Sequence, residues 1–239
     1  MLTEKTMTNA KGVLYGIGVG PGDPELLTLK AVRLIKACEA VVVPGEDYRD
    51  SIAYKIAVQA VPELEEKEAF AVAMPMTRDR DVLRRSHEQA ADRVAEYLDA
   101  GKDVAFLNLG DVTVYASYLY IHRLITGRGY QAELVNGIPS FCAAAARLGI
   151  GLAENSDRIH ILSQPGQIDE GLKLPGTKVI MKMGKNIGHV KELIQEAGLE
   201  ARMVENCGME NEKICRSVEE IDEQAGYYSL LIVKEQKAD

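Results

Sequence analysis

The stretch VLYGIGVGPGDPELLTLKAV at residues 13–32 runs a short apolar segment into four glycines, then opens into a helix-like pattern. VLYGIGV reads as a buried strand, and AVVVP at residues 40–44 reads as a second. Between them LLTLKAVRLIKACE puts Leu29, Val32 and Ile35 on one helical stripe, which makes a βαβ unit. The turn is not a dinucleotide fingerprint. G-x-G-x-x-G needs glycine five residues after Gly16 or Gly18, where Pro21 and Asp23 stand. A carboxylate at the mouth of a helix also repels the phosphate such a turn would hold. Two readings remain. The glycines permit a tight strand-to-helix connection capped by Asp23 or Thr28, or they bring backbone close to a ligand that is neutral or cationic there.

Outward from this unit, helical patterns at 51–61 and 81–100 and a strand-like DVAFLNLG at 103–110 continue an alternation that implies a mostly parallel sheet covered on both faces. TVYASYLYIHRLI reads as a helix from residue 113, ending near Gly127, and the GRG at 127–129 reads as the start of a linker. Beyond it come AELV, a helix at 140–148, then RIHILS, KVIMKMG, ARMVENC, EKICRS and YYSLLIVK as strands, with helical patterns at 187–197 and 218–224. The expectation is an α/β protein of two domains, 12–128 with a mostly parallel sheet and 129–239 with a mixed one.

The 239 residues carry 28 basic and 36 acidic side chains, a net charge of -8, which opposes non-specific binding to nucleic acid. The four cysteines, Cys38, Cys142, Cys207 and Cys215, form no C-x-x-C pair, so neither a disulfide framework nor a zinc site is indicated and a reducing cytoplasm suits them. No apolar run reaches the roughly 18 to 20 residues of a membrane span, and the polar start MLTEKTMTNAK lacks a signal-peptide core. A cytoplasmic protein with no membrane partner and no metal site of its own is expected.

GVGPGDPELLTLKA resembles the opening signature of the tetrapyrrole (corrin/porphyrin) methyltransferases, which use S-adenosylmethionine and include a relative in diphthine synthesis. LNLGDVTVYAS at 107–117 is similar to their second signature, with Val112 where proline is usual. NGIPSFCAAAARLG at 136–149 is similar to the third, with Asn136 in place of a proline. MKMGK at 181–185 and VENCGMENEKI at 204–214 resemble two later segments, so the likeness covers nearly the whole chain. Together with MPMTRD at 74–79, VYASYLYIHRLI and MKMGKN, it points to the branch that methylates C20 of precorrin-2 or of its cobalt complex, cobalt-factor II. Another branch, such as uroporphyrinogen III methylation, shares the cofactor. A nucleotide-binding regulatory module is the reading from a different class, and the failed fingerprint weighs against it.

The resemblance implies an S-adenosylmethionine site in a cleft between two domains. Its contacts carry over to Pro21, Leu109, Gly110, Asp111, Val114, Tyr115, Ser140, Phe141, Met183 and Cys207. For Asp111 a helix N-cap is compatible with ligand contact; Met183 reads equally as core, and Cys207 as either. A polycarboxylate substrate calls for rim cations, and Arg49, Arg78, Arg80, Lys182, Lys185 and His189 lie in loops or strand ends. Tyr15, Asp23 and Tyr48 are candidates for orienting the macrocycle or assisting proton removal, so the substrate set is Tyr15, Asp23, Tyr48, Arg78 and Lys185. No catalytic base is identified. His87, His122 and His160 read as structural. The resemblance further implies a homodimer, with Tyr115, Tyr118 and Tyr120 as a cluster for that surface or for the cleft.

Overall fold

The opening apolar run forms β1 (Val13–Gly18) in the computed structural model, which describes residues 10–235. β1 lies inside a parallel sheet with β2 (Ala40–Pro44), β3 (Glu68–Val72), β4 (Val104–Asn108) and β5 (Gln131–Val135), in the order β3-β2-β4-β1-β5. Side chains alternate between faces along each strand. Ile17, Val41, Val43, Ala105 and Leu107 pack with α1 (Leu29–Ala37) and α2 (Ile52–Ala60). Leu14, Val42, Val104 and Phe106 pack on the opposite side with α3 (Arg80–Asp99) and α4 (Tyr118–Gly127). Both faces are therefore buried, as the continuous apolar strands require. Each fully buried Leu or Ile contributes about 1.5–3 kcal/mol.

Two of the helices begin where a side chain caps them. Thr28 Oγ1 accepts from Ala31 N at 3.1 Å to start α1, and Asp79 Oδ1 accepts from Asp81 N and Val82 N to start α3. Two local expectations change. Leu29, placed by spacing on the buried stripe of α1, is 90% exposed, and the buried positions are Ala31, Leu34 and Ile35. α4 begins at Tyr118 rather than at residue 113, because Tyr115 sits at φ 51° and breaks the helical path.

The chain divides into two compact units at Ile138 and Pro139. This lies later than the expected 128/129 boundary, because β5 pairs with β1 and completes the first sheet. The glycines read as a linker end α4, with Gly129 at φ 82°.

The second unit is built on a mixed sheet, β6-β7-β10-β8-β9. β6 (Ile159–Leu162) and β7 (Thr177–Met181) are parallel, and β10 (Ser229–Lys234) runs antiparallel to both β7 and β8 (Glu200–Glu205). β9 (Lys213–Cys215) is an antiparallel edge. α5 (Ser140–Leu148) lies against β8 and β10. α6 (Ile168–Gly171) and α7 (Ile187–Glu196) pack with Ile180, Met203 and Leu231 in one core. The helix expected at 218–224 is absent: those residues form turns, with Val218, Ile221 and Ala225 buried in that core. Lys191 Nζ donates to Ile221 O at 3.0 Å, and Asp222 Oδ1 accepts from Gln224 N at 2.8 Å, so these backbone groups are satisfied without a helix.

Candidate functional site

In the first unit the connection after β1 leads toward β2 and that after β4 leads toward β5, in opposite directions along the sheet. Such a divergence at the carboxyl ends of parallel strands leaves a crevice where α/β proteins bind ligands. Three loops meet there, following β1, β4 and β5. Gly20 N donates to Gly110 O at 3.2 Å and Gly110 N to Gly20 O at 2.8 Å. A Cβ on Gly18 would lie 2.5 Å from Gly110 O and 2.6 Å from Gly137 N. The opening glycines thus let one backbone touch two others. Gly16 similarly makes room for the ring of Tyr118, which a Cβ would overlap.

Asp111 ties the loop after β4 to the loop after β5. It is 5% exposed. Its Oδ1 accepts from Thr113 N at 2.7 Å and from Thr113 Oγ1, and its Oδ2 accepts from Gly137 N at 2.9 Å and Asn136 Nδ2 at 3.2 Å. Burial alone pushes this carboxyl up, but the Thr113, Asn136 and Gly137 donors outweigh it and hold it below its ordinary value. Asn136, where the family signature usually has proline, supplies one donor, and Val112, at the second departure, is fully buried among α3 and α4. On the first loop Asp23 Oδ1 accepts from Glu25 N at 2.9 Å. Of the two caps offered for that turn, Thr28 is the one that caps α1, and Asp23 caps a single helical turn before it (Pro24–Leu26).

Pro21, Leu109, Gly110, Asp111, Val114 and Tyr115 all belong to these loops. Pro21 and Gly110 are buried, Leu109 and Val114 half-buried, and Tyr115 49% exposed. Residues 19–28, 108–117 and 136–139 carry the carboxylates Asp23, Glu25 and Asp111 and no Lys, Arg or His. This donor set, with its backbone carbonyls, suits a sulfonium or ammonium group and not a phosphate. Tyr48 lies beyond β2, its ring 5.1 Å from that of Tyr54 and 4.6 Å from the Arg49 guanidinium. Arg78 is exposed between β3 and α3. Tyr15 is not at this edge: it stands mid-strand, packed on the α1 side, and burial, followed by the Asp103 carboxylate, raises its phenol. Tyr118 is removed from any surface cluster, since it is fully buried with its hydroxyl 3.1 Å from His122 Nδ1.

In the second unit β7 and β8 point the same way, so the loops after them leave one edge of that sheet. The first residue past each strand, Lys182 at φ 57° and Asn206 at φ 52°, is left-handed. Non-glycine residues held this way cost of order 1–3 kcal/mol and cluster at functional loops. Next to them lie Met183, 3% exposed in the core, and Cys207, 8% exposed. Lys185 and His189 are exposed, and burial lowers the Lys182 ammonium. Ser140 and Phe141 form the half-buried first turn of α5. Arg147 at its other end makes a bidentate pair with Glu212, Nε to Oε1 and Oε2 at 3.0 Å each, and Glu212 also accepts from Gly208 N at 2.7 Å. The two-loop strain and this tether have no sequence signal beyond the Asn- and Gly-containing turn in VENCGMENE. Among the described residues no cluster of three His, Cys, Asp or Glu forms a metal site, and no helix is long and apolar enough to cross a membrane.

The chain is 34% identical, over 92% of its length and 95% of the relative's, to the probable cobalt-precorrin-2 C(20)-methyltransferase of Methanocaldococcus jannaschii. It is 30% identical to a precorrin-2 C(20)-methyltransferase of Sinorhizobium, over 93% of the chain and 95% of that relative. The fold matches that of uroporphyrin-III C-methyltransferase from Thermus thermophilus, solved with S-adenosylhomocysteine, at a TM-score of 0.67 and 22% identity, covering 94% of this chain and 98% of that one. The family model for tetrapyrrole (corrin/porphyrin) methylases aligns with residues 13–222, from β1 to the turns before β10, and the chain belongs to that family.

Proposed function

We propose that this protein is an S-adenosylmethionine-dependent C-methyltransferase that methylates C20 of precorrin-2 or its cobalt complex, cobalt-factor II, in cobalamin biosynthesis. The observation that carries this reading is the 34% identity, nearly end to end, to a relative named for that reaction with the cobalt complex. The 30% identity to a relative named for the metal-free substrate keeps both substrates in the proposal. In the reaction the sulfonium supplies the methyl group: the S–CH3 bond breaks, a C20–CH3 bond forms, and the C20 proton leaves.

The macrocycle carbon is electron-rich, so the protein's task is chiefly to hold the two carbons about 3 Å apart and in line, with water excluded. The carboxylate and carbonyl lining of the three-loop edge supports a cationic cofactor. The proposed contacts are Pro21, Leu109, Gly110, Asp111, Val114 and Tyr115 from the first unit and Ser140, Phe141, Met183 and Cys207 from the second. Asp111 acts through the loops it ties, because its four acceptor positions are taken. Asp23, Tyr48, Arg78 and Lys185 are proposed to face the substrate, with Tyr15 supporting the sheet of the first unit. The family likeness supports a homodimer, and four cysteines that form no disulfide suit a reducing cytoplasm.

The test is methyl transfer under anaerobic conditions from S-adenosylmethionine to precorrin-2, cobalt-factor II and uroporphyrinogen III, with the methylated carbon assigned by NMR. Transfer to C20 is expected. Methylation of uroporphyrinogen III alone would move the protein to another branch of the family.

A further inference from the structure

A basin of about 480 Å³ opens in the first unit between the β3–α3 connection and the facing turns of α3 and α4. We propose that it binds the carboxylate-bearing edge of the tetrapyrrole, a substrate class that rests on the function proposed above. Its volume falls within the roughly 300–1,000 Å³ of small-molecule sites. The floor is apolar, with Met74, Leu83 and Leu124. One wall is a ring platform, His87 stacked on Tyr120 at 4.6 Å between centroids and 12° between planes. Burial lowers the His87 imidazole, which keeps that platform neutral near pH 7.

The rim carries three cations, Arg80, Arg84 and Arg123, against one carboxylate, Glu88. On a chain of net charge -8 this is a local reversal of sign. The cations are available. Arg80 makes no ion pair among the described residues. Arg84 has only exposed partners, Asp81 at 3.4 Å and Glu88 at 3.9 Å, and such pairs exchange readily for a ligand carboxylate. Arg123 is aimed by its Nε, which donates to Leu119 O at 3.1 Å, and its guanidinium lies 5.3 Å from the Tyr120 ring.

A flat apolar surface edged by guanidinium groups matches a pyrrole edge bearing acetate and propionate arms: the ring lies on the platform and the carboxylates meet the forks. A free phosphate would use the arginines but not the floor. The basin is also continuous with the loop following β4, since Ser117, the last residue of LNLGDVTVYAS, lines it.

The experiment compares the intact protein with the triple variant Arg80→Ala, Arg84→Ala, Arg123→Ala and with Tyr120→Leu in methyl transfer to precorrin-2. Arg85→Ala, which removes the same charge from an exposed position of α3 outside the basin, is the control. The expected result is a KM for the tetrapyrrole about tenfold higher in the triple variant, with kcat changed much less and the KM for S-adenosylmethionine unaltered. Arg85→Ala should leave the tetrapyrrole KM in place. An unchanged tetrapyrrole KM in the triple variant overturns the inference while leaving the proposed function intact. So does a dimer-to-monomer shift in sedimentation that by itself accounts for lost activity, because the basin would then be a contact between copies. If the unaltered protein methylates no tetrapyrrole, the proposed function falls. The basin is then judged by quenching of uroporphyrin fluorescence, present with the unaltered protein and lost with the triple variant if the inference holds, and equal in both if it does not.

Discussion

Replacing Asp111 by Ala removes an acceptor for two backbone N–H groups, one amide and one hydroxyl, spread over two loops. Asn136 and Thr113 are exposed and can turn to water, but Gly137 N is enclosed by the loops it touches. A buried donor left unpaired costs about 1–3 kcal/mol, and each lost bond to a charged group is of comparable size before solvent repays part of it. The net loss is about 3–5 kcal/mol, made up of one unpaired buried donor and the part of the other charge-assisted bonds that solvent does not repay. For a chain of this length that corresponds to a fall in melting temperature of about 10 °C or more.

Asp111→Asn separates charge from shape. One side of an amide can still accept, but the other presents N–H₂ to donors, so about half of the loss is expected. The pH dependence has a definite sign. The folded carboxyl titrates below its unfolded value, so its contribution is fully present above the ordinary Asp range of about 4 and is lost as pH falls through the lowered folded value. The gap in stability between wild type and Asp111→Asn should therefore shrink with acidification below about pH 4. The assay is urea unfolding followed by circular dichroism at pH 7 and at successively lower pH. An Asp111→Ala protein melting within about 1 °C of wild type, or a gap that widens with acid, would refute the argument.

Gly18→Ala should destabilise the first unit by about 1–3 kcal/mol or more, because its methyl would press on backbone of two loops rather than on a movable side chain; a chemical denaturation curve unchanged in midpoint would count against this. Gly16→Ala should be similarly damaging but partly rescued by Tyr118→Leu, which vacates the overlapping ring, and thermal melts of the single and double variants test that coupling. Arg147→Ala breaks the fork to a Glu212 carboxylate that is 11% exposed, so a loss of about 1–2 kcal/mol and faster amide exchange over residues 206–212 are expected; exchange identical to wild type would show the loop is held otherwise. S-adenosylhomocysteine should raise the melting temperature and NAD should not; the reverse would restore the nucleotide-binding reading.

Among the strands that the sequence announced, VLYGIGV, AVVVP and AFLN are the plainest, apolar throughout because helices cover each side of the sheet. β3 escaped notice because it is an edge strand with half-buried side chains, and its Glu68 is spent on the Tyr97 hydroxyl and Lys102. The membership of β5 could not be read locally, since pairing with β1 spans more than a hundred residues while the nearby glycines look like a linker. At 218–224 the apolar spacing was real but served turns over a core, where side chains and not a helical ladder satisfy the backbone. Asp111 was half legible. Its bond to Thr113 N closes a local turn and not the helix N-cap that its place in the motif suggests, since Ser117 stands at the start of α4, and Asn136 and Gly137 lie 25 and 26 residues away.

The same distinction explains the opening stretch. In a phosphate-binding turn the glycines let backbone approach a ligand, and their spacing is set by the pyrophosphate. Here the neighbour of Gly18 is not a ligand but the backbone at Gly110 and Gly137, and the neighbour of Gly16 is a tyrosine ring. The G-x-G spacing follows from the alternation of β1: Leu14 and Gly16 face the α4 side, and Gly16 must be small where Tyr118 crosses the strand. Gly18 reaches the end of the strand, where the loops after β4 and β5 close over it. With those two positions fixed by packing, Asp23 and Glu25 are free to sit at a helix entrance where a phosphate site would exclude them. The edge can then present carboxylate and carbonyl oxygens to a cation, and its rigidity comes from one buried carboxylate and three backbones in contact.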